Sequence, residues 1–222
     1  MSLVNETDPA SKSLNCTASI GKEPQTLTHI YQPEHNLVIW QRHVPLEWQN
    51  EITAAIQSGW SIKLACRMTT DSAYAQLQQA LEPLSITNEL SDHIAELIDM
   101  FALLFELEEI GVRLTSLNST MCPRFHIDRV PCRLITTLSG QATEWLSDAD
   151  VQRCHLGPRG AEVSDLDVGL YQSPEQVQQM HIGDVALLKG SQWEGNEDNA
   201  IVHRSPALLP NENRLLLTLD FG

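Results

Sequence analysis

The chain has 222 residues and an ordinary apolar content, enough for one large domain or two small ones with a real core. Its 14 Lys and Arg face 29 Asp and Glu, a formal net charge of −15. That sign argues against a general nucleic-acid binder and against docking on anionic membranes, since both need a positive field; a small anionic ligand, which answers to local charge, is not excluded.

Residues 1–35 are polar, with scattered Ser, Thr, Asn and Pro and no sustained period. They read as an arm, partly disordered or draped on the surface. The run 36–42 predicts a strand. Pro45 then opens a helix to about Ser58, Pro being well placed in a first helical turn. Residues 61–68 suit a strand, and Asp71 or Ser72 can cap a short helix ending near Pro83. Ser91 is the expected N-cap of the clearest helix. There Ile94, Leu97, Ile98, Phe101, Leu104 and Phe105 recur at 3 and 4 spacing, and Gly111 is the expected stop. The opposite face carries Asp92, Glu96, Asp99, Glu106 and Glu109, a pattern that usually means a solvated surface. Residues 68–112 hold no Lys or Arg and nine acids, so most of the excess charge sits there.

After Gly111 the texture turns to short β-rich runs at 112–117, 124–127, 133–138, 185–188, 200–203 and 214–221. Turn signals such as Ser139-Gly140, Gly183-Asp184 and Gly195-Asn196 separate them. Residues 147–180 are the least regular and read as a long functional loop with a short helix near 174–180. The pattern predicts a single α+β domain over 36–222. A mainly helical N-terminal layer (36–111) packs on a β core (112–222) that closes as a sandwich or barrel. Five Cys (16, 66, 122, 132 and 154), an odd number, fit free thiols in a reducing cytoplasm. No apolar h-region opens the chain, and no run reaches the ~20 apolar residues of a membrane span.

Chemistry concentrates in Cys122-Pro-Arg-Phe-His126-Ile-Asp128. On a strand, His126 and Asp128 project the same way and can take adjacent positions on one metal. His203, in the apolar run Ala-Ile-Val-His-Arg-Ser-Pro, is the best third ligand. Two His and one carboxylate with open positions are the facial triad of non-haem Fe(II) oxygenases. Arg214 opens the last strand and shares a face with Leu216 and Thr218, and a cavity arginine beside a metal can pair bidentately with a carboxylate. Arg133 opens the strand after the His-x-Asp. With Arg124, Arg129 and Arg204, these arginines suggest a locally basic pocket in an acidic protein. Phosphate-loop, dinucleotide, zinc-protease and nucleophile-elbow motifs are missing from the sequence.

In serial order these residues resemble the Fe(II)/2-oxoglutarate-dependent oxygenase superfamily, especially its prolyl-hydroxylase-like branch. The resemblance covers about residues 120–222. It runs from His126 and Asp128 through Arg133 with Thr136 or Thr137, Glu144 and Gly183-Asp184 to His203 and Arg214. It implies a double-stranded β-helix of the jelly-roll or cupin type. It also implies Fe(II) on His126, Asp128 and His203, and 2-oxoglutarate held by Arg214 with Arg133 and Thr218 beside it. The whole chain further resembles a bacterial domain family of unknown function that shares the blocks at 121–128, 143–146 and 202–206. That family's association with zinc-limitation genes implies a metal connection and assigns no reaction.

Three readings follow. The first is an oxygenase hydroxylating a small molecule or a protein side chain. The second is a non-catalytic zinc-binding barrel, with a thiol as a possible fourth ligand. The third is an interaction protein using its acidic helix. Cys122 and Cys132 are expected as small buried hydrophobes, Cys154-His155 shows no zinc spacing, and Trp145 and Trp193 are expected in the core or at its rim.

Overall fold

The computed structural model describes residues 16–157 and 163–222. Ten strands and three α-helices alternate along it. In the front half come β1 (Thr17–Gly21), β2 (His35–Trp40), α1 (Leu46–Gln57), β3 (Lys63–Met68), α2 (Thr70–Leu81) and α3 (Thr87–Phe105). Then follow β4 (Ile110–Leu117), β5 (Cys132–Ser139), β6 (Glu144–Leu146), β7 (Gln178–Gln179), β8 (Val185–Lys189), β9 (Val202–Arg204) and β10 (Arg214–Phe221). Seven strands form one sheet in the order β1-β2-β8-β5-β10-β4-β3, and β7-β6-β9 form a second.

Period-two alternation explains the layering. On the central strands, Val38, Leu134, Leu138, Val185, Leu187, Leu215, Leu217 and Leu219 point to one face and pack under the helices, with Ile94, Leu97, Ile98 and Phe101 of α3. Their neighbours Leu37, Ile39, Ile135, Ala186, Leu188 and Leu216 point to the other face. They meet Trp145, Met180 and Ile201 from the small sheet and its loops. Phe125, Leu146, Val151, Leu170, Tyr171 and Val202 form a third cluster around the other side of the small sheet. Arg133, Thr137, Arg214 and Thr218 share the parity of the second set, so they face the space between the sheets.

The structure departs from the sequence expectations in four places. From Cys16 on, the expected arm is ordered: β1 pairs with β2, and a 3-10 helix at Pro24–Tyr31 buries Leu27 and Ile30. Buried Cys16, Leu27 and Ile30 anchor a segment whose average composition is polar. Residues 1–15 lie outside the described set. The front half is not simply helical, because β2 and β3 take places in the large sheet. The two sheets remain separate ladders rather than one closed barrel. Finally, α3 begins four residues before Ser91, which is buried inside it, and ends on Glu106 in the left-handed region (φ 54°), so Gly111 falls within β4. The cap of α2 is likewise Thr69, in a reciprocal box with Ser72. Among the described residues no helix is long and apolar enough to cross a membrane.

One buried group in the helical layer carries a pH signature. His93 of α3 accepts from Arg42 Nη2 through Nδ1 at 3.0 Å and meets the Trp48 ring edge-on. Burial first, then the neighbouring Arg42 charge, push its pKa down to about 4. The fold therefore takes up this proton less readily than the unfolded chain. Stability is intact above about pH 6.5 and falls as pH drops towards 4. The loss from this group between pH 7 and 4.5 is about 2–3 kcal/mol. Urea unfolding of His93→Gln at both pH values should show a pH dependence shallower by that amount; an unchanged slope would contradict the assignment.

Candidate metal centre

His126, Asp128 and His203 converge. The histidines face each other across a single antiparallel bridge, each backbone N–H donating to the other's carbonyl at 3.0 Å. His203 belongs to β9, where Trp145 of β6 pairs it from the other side. The expected strand at 124–127 reduces to this bridge, because the Phe125 N–H is taken by Asp165 Oδ2 at 2.8 Å instead of a ladder partner. Asp128 follows on a loop, and its backbone carbonyl accepts from the Ser191 N–H at 2.9 Å.

The ring orientations prepare both imidazoles to bind a cation. His126 Nδ1 lies 2.9 Å from the Arg124 carbonyl and His203 Nδ1 3.3 Å from the Ile201 carbonyl. A carbonyl can only accept, so both Nδ1 atoms carry a proton, which leaves Nε2 as the atom each ring can offer to a metal. Nε2 of His126 is 3.9 Å from Asp128 Oδ1, and Nε2 of His203 is 3.5 Å from Asp128 Oδ2. Burial pushes the pKa of His203 down to about 4 despite the nearby Asp128, which keeps the ring neutral. One donor atom from each residue lies within 4.8 Å of the others, so a common point sits within about 2.8 Å of all three. Bound N and O ligands sit at ~2.0–2.2 Å, so closure on an ion needs shifts below about 1 Å. Two imidazoles and a carboxylate fit a divalent transition metal.

His126 and His203 line a cavity of about 260 Å³, with Arg133, Thr143, Arg204, Ser205, Ile135, Leu216 and Thr218 also on its wall. That volume lies at the small end for ligand pockets, which run from ~300 Å³. Behind the wall sits Arg214, only 1 % exposed. Its Nη2 donates to Thr143 Oγ1 at 2.7 Å and to Thr137 Oγ1 at 2.9 Å. Nη1 is 3.5 Å from Ser205 Oγ. Among the described residues Arg214 makes no ion pair, and burial lowers its pKa to about 10, so it stays charged at neutral pH.

The other sequence-predicted residues, Thr218, Arg133 and Arg204, line the same cavity. Thr218 lies on the cavity wall of β10, paired in register with Ile135 and Arg113, away from the Arg214 end. Arg133 directs its donors to Asp128 and Asp220, Arg204 pairs with Glu144 at 2.6 Å, and Arg113 pairs with Asp220. The pocket is thus less basic than the count of arginines suggested. Cys122, expected to be buried, is exposed on the cavity rim, whereas Cys132 is buried and its thiol is pushed up by desolvation. Cys154 is exposed and joins no ligand group among the described residues. Trp145 is buried in the inter-sheet core, and Trp193 packs against Phe105, Tyr31 and Lys189.

Sequence reasoning missed Gly190. A Cβ there would lie 2.0 Å from the Val130 carbonyl and 2.8 Å from that of Asp128. The turn after β8 lies directly against the loop carrying Asp128, and its N–H groups hold that loop through Pro131, Asp128 and Val130. Gly190→Ala should push the loop away. The expected result is a lower melting temperature together with weaker metal uptake by the folded fraction; a variant matching the parent in both would show that the loop has room to move.

Three solved structures illustrate what the chain is similar to. The dioxygenase for auxin oxidation from rice is 12% identical with a TM-score of 0.46, covering 93% of this chain and 82% of that one. A prolyl-4-hydroxylase from Pseudomonas putida is 10% identical with a TM-score of 0.40, covering 88% and 96%. HygX from Streptomyces hygroscopicus, solved with nickel and 2-oxoglutarate, is 10% identical with a TM-score of 0.41, covering 89% and 85%. No curated protein matches the sequence. A family model does match, over residues 21–220, nearly the whole described chain, and the protein therefore belongs to the family described as "Protein of unknown function (DUF1826)".

Proposed function

We propose that the protein is a non-haem Fe(II)- and 2-oxoglutarate-dependent oxygenase that hydroxylates a small molecule or a protein side chain. The observation that carries this reading is the pairing of two features on one small cavity. His126, Asp128 and His203 each place a donor atom around a common point, and a buried arginine with no ion pair among the described residues lies behind the wall of the cavity that the two histidines line. Bound Fe(II), with 2-oxoglutarate and dioxygen, supplies oxidative decarboxylation coupled to hydroxylation of a C–H bond.

The chain's own residues do the rest. The two Nε2 atoms and the Asp128 carboxylate would hold the metal. Arg214 receives the distal carboxylate of the cosubstrate, to which its planar fork is matched. Thr143 and Ser205, on the wall between Arg214 and the cavity, orient that guanidinium. Ile135 and Leu216 give the wall an apolar stretch that limits water at the site.

Ligand count argues against the closed zinc site. Structural zinc takes four protein ligands, and among the described residues no fourth His, Cys, Asp or Glu joins the group. The test is direct. Metal-free protein is mixed anaerobically with Fe(II) and 2-oxoglutarate, and a weak visible charge-transfer band is sought, followed by succinate on admission of oxygen. The band and succinate are expected. Neither appearing, with tight zinc binding instead, would overturn the oxygenase reading.

A further inference from the structure

Arg133 opens β5 with all three guanidinium nitrogens hydrogen-bonded. Nη1 donates to Asp128 Oδ2 at 2.7 Å. Nε and Nη2 donate to the two oxygens of Asp220 at 2.7 and 3.1 Å. Asp220, 7 % exposed on the neighbouring β10, is also paired with Arg113 on β4. The charges therefore form a ladder across three adjacent strands that ends on a candidate metal ligand.

The geometry of the fork matters more than its charge. Two parallel N–H···O bonds to Asp220 fix the plane of the guanidinium. A fixed plane fixes the direction of Nη1, and so the position of Asp128 Oδ2. Asp128 needs that restraint, because it stands on a loop outside any strand. A free carboxylate at a divalent ion can bind through one oxygen or chelate through both; with Arg133 occupying one lone-pair direction of Oδ2 and fixing the carboxylate's rotation, chelation through both oxygens is disfavoured.

We propose that Arg133 is a positioning residue that holds Asp128 as a one-oxygen donor, with Asp220 as its anchor. This rests on the reading of His126, Asp128 and His203 as a metal centre. It gives Arg133 a task different from binding the cosubstrate, since each of its three nitrogens already donates to Asp128 or Asp220. Partners that orient metal ligands typically change affinity by ~10–100-fold when removed.

The test is a Co(II) titration of the full chain against a competing chelator, followed by the visible d–d spectrum. Arg133→Gln is expected to raise the Kd by ~10–100-fold. At saturation its band should change in intensity and position, because the released Asp128 can chelate; a merely structural role would lower stability and leave the saturated spectrum unaltered. Arg133→Lys should restore little, since an ammonium is a single point and cannot grip both carboxylates. Asp220→Asn keeps the shape of the anchor, leaves Asp128 and Arg133 in place, and should fall between wild type and Arg133→Gln; it carries the test if Arg133→Gln does not fold. Kd values within twofold of wild type and unchanged spectra in the folded variants would overturn the proposal. Wild-type protein that takes up no Co(II) would overturn the metal-centre reading beneath it, and this assignment with it.

Discussion

Replacing His126 by alanine should remove metal binding and leave the fold standing. The imidazole is a partly exposed donor, with 36% of its side chain accessible, and it belongs to none of the three apolar clusters. Its structural contributions are a ring contact with His203, which alanine loses, and the backbone bridge to His203, which alanine keeps. The remaining Asp128 and His203 give two donors where three converge. The loss should exceed the ~100-fold seen when only a supporting partner is removed. Metal content after loading with Co(II) reads the first effect, and a thermal melt within a few degrees of the parent reads the second. His203→Ala is a less discriminating choice, because its ring is buried and its removal adds a cavity cost to the chemical one. Stoichiometric, equally tight Co(II) binding by His126→Ala would end the metal-centre reading.

Arg214→Met is the second large effect, and it separates binding from stability. Burial holds the arginine's pKa near 10, and the cation carries a desolvation cost of about 3 kcal/mol. The sign is that of a base with a lowered folded pKa: the cost is fully present at neutral pH and is relieved only as pH rises through 10. Against it stand the hydrogen bonds to Thr137 and Thr143, about 1 kcal/mol each. Removing the cation should therefore leave the melting temperature unchanged or a few degrees higher, at roughly 2–4 °C per kcal/mol for a chain of this size. Affinity for 2-oxoglutarate should collapse. Truncating one partner of a buried charge pair costs about 2–5 kcal/mol, or ~30- to 5,000-fold in Kd. Metal uptake should persist, since Arg214 touches none of the three donors. A variant that binds 2-oxoglutarate like the parent, by titration of the charge-transfer band, would remove Arg214 from the site.

The candidate donors were legible in the sequence for a local reason and a serial one. His126 and Asp128 stand two apart, and His203 lies in an apolar run that forms β9. The helices and the long central strands were legible because their apolar spacing is dense, as in α3 and β10. What stayed hidden depends on partners distant in sequence. β1 is a five-residue strand with polar flanks, made stable by β2. β6 and β7 are three and two residues long, too short for any period to register. Arg133 read as a cosubstrate ligand because its spacing from Asp128 is visible, whereas Asp220, at the far end of the chain, is not visible as its partner. Gly190 carried no signal at all, since only the packing of the Asp128 loop against it explains the missing Cβ.

The mutual bridge between His126 and His203 bears on the order of events during assembly. In a zinc finger the ion organises the chain, and without it there is no fold. Here each histidine's amide is satisfied by the other's carbonyl, and β9 is already bound to β6 on its opposite side. The third donor reaches the other two through a long-range contact that local structure cannot supply, the kind of pairing that forms late. Of the three donors, an unfolded chain keeps only His126 and Asp128 close together, a weak trap for a cation. Loading after folding would let the finished site, rather than the nascent chain, choose its metal.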